Sequence, residues 1–167
     1  MVERVYNSLV AKSDEEKKVV LPRFFKTGKG QYGEGDVFIG VTVPNVREVA
    51  KEYKSLSLTD LSRLLQSEYH EMRLCALLIL VGNSKKVVTK EVFDFYLSNT
   101  ARINNWDLVD LSAPSIVGKY LLDKDRAVLY RLADSDLLWD NRIAIVSTLT
   151  FIRNNDLEDT YNLSVKM

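Results

Sequence analysis

Residues Leu132-Ala133-Asp134-Ser135-Asp136-Leu137-Leu138-Trp139-Asp140-Asn141-Arg142 form a short polar turn, then an aromatic, then a charge, and run into the apolar stretch Ile143–Phe151. The same order occurs twice upstream. Leu64-Leu65-Gln66-Ser67-Glu68-Tyr69-His70-Glu71-Met72-Arg73 precedes Leu74–Val81, and Asn104-Asn105-Trp106-Asp107-Leu108-Val109-Asp110 precedes Leu111–Val117. The units recur every 32 to 37 residues, a period that suits antiparallel helix pairs stacked side by side. We therefore expect an all-α, HEAT-like helical-repeat solenoid, an α-α superhelix with one concave face. In that arrangement Arg73, Asp110 and Arg142 line up at equivalent helix starts. The alternative is that the two arginines pair with neighbouring acids between repeats.

Working outward, the remaining chain reads as helix with short interruptions, and no segment alternates with period two. Val2–Ala11 is a first helix. Ser13 or Asp14 caps a second that runs to about Phe25, with Glu15 and Glu16 in its first turn. Pro44 suits a helix start, and Ser57 caps the stripe Leu58, Leu61, Leu64 and Leu65. Glu68–Val81 is apolar nearly all round, the pattern of a buried helix. Thr89–Leu97, Asn105–Ser112, Pro114–Leu122, Asp125–Ala133, Leu138–Arg153 and a stub from Asp156 complete the series. We expect residues 1–167 to form a single repeat domain.

Composition bounds the function. Lys plus Arg and Asp plus Glu both number 23, so no global field draws the chain to a polyanion, and any nucleic-acid contact rests on a local patch. One cysteine excludes an internal disulfide and fits a reducing cytoplasm; Cys75, inside an apolar run, reads as a small buried hydrophobe. One cysteine and one histidine argue against a zinc site, and we expect no metal or cofactor. No long apolar run suggests a membrane span. The glycine-rich stretch Lys26-Thr27-Gly28-Lys29-Gly30-Gln31-Tyr32-Gly33-Glu34-Gly35-Asp36 lacks the spacing of a phosphate-binding P-loop and reads as a solvated loop. Lys26 and Lys29 are candidates for sequence-independent contact with a nucleic-acid backbone.

Trp106 and Asp110 are one helical turn apart and face the same way. An aromatic plate beside a carboxylate suits a planar cation. The alternative is that Asp107 and Asp110 are acids satisfying a helix N-terminus.

The loop from Phe25 to Asp36, Phe38-Ile39-Gly40-Val41 with Val43-Pro44, Trp106-Asp107-Leu108-Val109-Asp110 and Trp139-Asp140-Asn141-Arg142-Ile143-Ala144 together resemble the DNA alkylation repair family of AlkD-like glycosylases. The similarity runs from about residue 20 to 160. The resemblance implies an enzyme that excises cationic N3- and N7-alkylated purines from duplex DNA, without a base pocket. It makes Asp110 the catalytic carboxylate, Trp106 an aromatic facing the lesion and Arg142 an active-site arginine near the backbone. On our own reading of the residues, Arg73 and Asp107 are further candidates for contact with DNA. Relatives continue for several more helices, so we expect this chain to lack the family's C-terminal helices. The apolar Ile143, Ile145, Val146, Leu149, Phe151 and Ile152 would then seek a partner, and we expect a homodimer through the C-terminal helices. A rival reading from another class is a non-catalytic HEAT-like module binding protein or nucleic acid.

Overall fold

The computed structural model describes residues Met1–Met167. The chain divides into two compact units, Met1–Asn83 and Ser84–Met167. Both are helical. The nearest approach to a strand is an isolated parallel bridge between Val37 and Tyr69, so the all-α expectation holds.

The first unit contains α1 (Val2–Val10), α2 (Glu15–Phe24), α3 (Val43–Glu52), α4 (Leu58–Leu65) and α5 (His70–Asn83). α5 is the hub, packed by α1, α3 and α4. From His70 to Leu80 its nearly continuous apolar sequence leaves it no solvent face, and even His70, Glu71 and Arg73 are buried. Cys75 is fully buried, and burial pushes its thiol up to about 12. Asp14, not Ser13, caps α2 by accepting from the amides of Glu16 and Lys17. Ser57 caps α4 as expected, accepting from Asp60.

The glycine-rich segment enters α3 through Gly40, whose φ is +91°. A Cβ there would lie 2.6 Å from the Asp14 carbonyl oxygen. Only glycine meets both the left-handed backbone and this close approach. The next turn is fastened from α5: the buried Glu71 carboxylate accepts the amides of Ile39, Gly40 and Val41 at 2.9, 2.8 and 3.0 Å. Three donors offset the desolvation of that charge.

The second unit contains α6 (Lys90–Leu97), α7 (Trp106–Ala113), α8 (Ala127–Ala133), α9 (Leu138–Ser147), α10 (Leu149–Ile152) and α11 (Glu158–Lys166). α9 packs on α7 and α8. Two expected boundaries differ. α7 does not stop before Pro114; the chain continues through a π-turn, Pro114–Gly118, to Tyr120. Proline has no N–H for the carbonyl four residues earlier, that of Asp110, and its ring crowds it. Widening the helix relieves both. Conversely, Leu138–Arg153 is broken at Thr148, where the hydroxyls of Ser147 and Thr148 donate back to the carbonyls of Ile143 and Ile145 and compete with helical continuity. Gly118 lies against this break, and a Cβ there would be 2.3 Å from the Ser147 carbonyl oxygen.

α11 is latched through Arg126. Its Nη1 donates to Asp156 and Asp159 at 2.7 and 2.6 Å, its guanidinium lies 3.8 Å from the Phe151 ring centroid, and Tyr130 donates to Asp159 at 2.6 Å. Asp156 titrates below the usual carboxylate range because it accepts from Arg126.

Candidate active site

Asn105 caps α7 by accepting the amide of Trp106, and Asp107 Oδ1 accepts the amide of Leu108 at 2.8 Å. These two residues serve the helix N-terminus. Asp110 does not. One turn beyond Trp106, its carboxylate stands on the outer side of α7 and meets Arg142 of α9 in a two-pronged ion pair. Nε donates to Oδ1 at 2.8 Å and Nη2 to Oδ2 at 2.7 Å. Both side chains keep over a third of their surface, 38% for Asp110 and 39% for Arg142. The hydrogen bonds it donates to Asp110 hold the guanidinium above its ordinary pKa. The planar fork fits the carboxylate in register, and the outer N–H donors, including both on Nη1, have no partner in the chain.

Asp140 and Asn141 of Trp139-Asp140-Asn141-Arg142 are held by the turn before α9. Asn141 Nδ2 donates to the carbonyls of Leu132, Ala133 and Ser135 at 3.0, 3.3 and 2.8 Å. Asp140 accepts from Ser135 Oγ at 2.8 Å. This ties down the turn and sets the azimuth of α9, bringing Arg142 over Asp110. Beneath the pair, Tyr96 and Ser112 hydroxyls lie 2.9 Å apart in the core, and Ser112 donates to the Leu108 carbonyl. Trp106 is half-buried at the helix start.

The residues expected at one surface therefore separate. Asp110 and Arg142 meet, with Trp106 one turn away. Arg73 is a correction. It is 1% exposed, donates from Nη2 to Asp36 Oδ1 at 2.5 Å and from Nη1 to the carbonyls of Ser67 and Glu68, and presents no surface to DNA. Arg73 holds the same place in its repeat as Asp110, but the first turns of α5 are buried on all sides. Both arginines thus take the alternative of pairing with an acid. Lys26 and Lys29 lie exposed on the glycine-rich loop, where no carboxylate pairs with them. The buried group Asp36, His70 and Glu71 escaped sequence reasoning. Asp36 Oδ2 lies 3.0 Å from His70 Nδ1, and the His70 ring packs on Phe25 and Phe38. The signal was present in a histidine and two charges opening an otherwise apolar helix.

No helix is long and apolar enough to cross a membrane, and no group of three or more His, Cys, Asp or Glu side chains is placed to hold a metal ion. A family model described as DNA alkylation repair enzyme matches residues 5–166. The chain belongs to the DNA alkylation repair enzyme family. The match takes in α7 and α9 and the pair that joins them. Comparison with individual curated proteins gives no match. Membership makes this chain an alkylation repair enzyme with DNA as its substrate.

Proposed function

We propose that the chain is a DNA glycosylase that hydrolyses the N-glycosidic bond of cationic N3- and N7-alkylated purines in duplex DNA. The observation that carries this reading is the Asp110 carboxylate, held in solvent reach by a two-pronged arginine one turn from Trp106. An alkylated purine is already a good leaving group and needs no strong acid. Cleavage builds positive charge on the deoxyribose, which a fixed carboxylate opposes while it orients the attacking water. Trp106 offers an aromatic surface to the same cation. Arg142 keeps Asp110 oriented with its inner donors and takes a DNA phosphate with the outer ones. The test is release of free 7-methylguanine from alkylated duplex under single-turnover conditions. A chain that binds duplex but releases no base is the non-catalytic module instead; the engagement of both Asp110 oxygens by Arg142 favours that second reading.

We also propose self-association through the C-terminal helices. Phe151 and Leu163 are buried within the chain, but Leu138, Leu149, Leu157, Tyr161 and Val165 are exposed, and such residues seek a partner. Sedimentation equilibrium at micromolar concentration tests this, and a mass of 19.1 kDa throughout refutes it.

A further inference from the structure

α2 is the helix of the first unit that buries no side chain. Its outer stripe, Glu16, Val19, Val20, Arg23 and Phe24, is exposed at helical spacing, where a helix of this size ordinarily hides one face. The helix ends in a Schellman turn: Thr27 N–H donates to the Pro22 carbonyl at 3.1 Å and Lys26 N–H to that of Arg23 at 3.4 Å. In this turn the residue after the cap is left-handed, and glycine or asparagine normally holds it. Here it is Lys26, at φ +53°. The chain's other left-handed residue that is not glycine is Asn155, at φ +61°, a type that tolerates the conformation. A lysine does not, and strain of this sort persists where a side chain is needed in one place. The helix dipole does not require it, because Arg23 already occupies the last turn.

The loop that follows is tied, not loose. Gly33 N–H donates to the Lys26 carbonyl at 3.0 Å, Gly28 N–H to Gln31 Oε1 at 3.0 Å and Gly30 N–H to Glu34 Oε2 at 2.6 Å. Its far end is anchored by Asp36 on Arg73 and His70. Arg23, Lys26 and Lys29 are exposed within seven residues and have no carboxylate partner, and the nearest acid in the loop, Glu34, is engaged by Gly30. Lys26 and Lys29 on a preorganised loop, with Arg23 in the last helical turn before it, match a phosphodiester chain, and exposed Phe24 beside them suits the apolar edge of deoxyribose.

We propose that the C-terminal end of α2 and the loop after it form a phosphodiester-binding surface of the first unit, with Lys26 as its fixed cation, gripping duplex DNA without sequence preference. This rests on the reading that the chain acts on DNA, but not on Asp110 chemistry. The experiment compares wild type, Lys26→Gly and Lys29→Ala by melting temperature and by binding to an undamaged labelled duplex over a salt series. Lys26→Gly relieves the backbone, so its melting temperature is expected to equal or exceed wild type. Its affinity is expected to fall several-fold, and the slope of log affinity against log salt to become shallower by about 0.9. Lys29→Ala is expected to weaken binding in the same way. Wild-type affinity and slope in both variants overturns the proposal, as does a lowered melting temperature in Lys26→Gly. Tighter, Lys26-dependent binding of polyglutamate than of duplex overturns it in favour of an acidic protein partner. If wild type releases no 7-methylguanine while Lys26→Gly still weakens duplex binding, the glycosylase reading fails and this surface stands.

Discussion

In the first unit Asp36 and Arg73 are paired at 2.5 Å with side chains 2% and 1% exposed; in the second, Asp110 and Arg142 are paired through two bonds with both groups over a third exposed. The chemistry is the same and the surroundings are opposite. Around Arg73 the protein supplies the carbonyls of Ser67 and Glu68, and around Asp36 the His70 ring. That pair is a structural rivet, since breaking a buried pair strands a charge without water. Around Arg142 the outer donors face solvent. A half-exposed pair adds little to stability and stays open to a ligand. The difference teaches that a charged pair is readable as a site when its donors and acceptors are left over for something else.

The sharpest way to break this comparison is to remove one carboxylate from each pair. Asp36→Ala is expected to lower the unfolding free energy by about 3–5 kcal/mol. Asp110→Ala should lower it by less than about 1 kcal/mol. Urea unfolding of the two variants measures both, and equal losses would erase the distinction between rivet and site.

Asp110→Asn keeps the shape and removes the charge. The single-turnover release of 7-methylguanine is expected to drop by about a hundredfold or more, with duplex binding and melting temperature nearly unchanged. A wild-type rate would return Asp110 to a purely structural role.

Gly118→Ala tests what holds the open pair in register. The new methyl meets the Ser147 carbonyl oxygen and Thr150 Oγ1, forcing the π-turn and the α9 break apart at a cost of about 1–3 kcal/mol. The smallest expected effect is that of Arg142→Ala on salt dependence. Duplex affinity falls and the slope of log affinity against log salt becomes shallower by about 0.9. An unchanged slope means that Arg142 contacts no phosphate.

Much of the fold was legible in local signals. Asp14, Ser57, Thr89 and Asn105 all accept amides at helix starts, because a cap is a contact between residues one to three apart. The all-round apolar sequence of α5 announced its burial. The repeated turn, aromatic and charge mark the starts of α5, α7 and α9. Helix continuity was less legible: Pro114 signals a break, yet the chain widens into a π-turn instead of stopping, and Thr150 donates to the Pro114 carbonyl there at 2.7 Å from 36 residues away.

By itself the sequence determined the helical class, the caps, the buried hub and the proximity of Trp106 and Asp110 on one face, since each follows from side chains within a few turns of one another. Only the tertiary structure decided the fates of the charges. Arg73 and Arg142 occupy like positions in their repeats, yet one is sealed beside Asp36 and the other lies open over Asp110. Burial and ion pairing depend on neighbours more than thirty residues away, and no local pattern encodes which acid the folded chain brings within reach of which arginine.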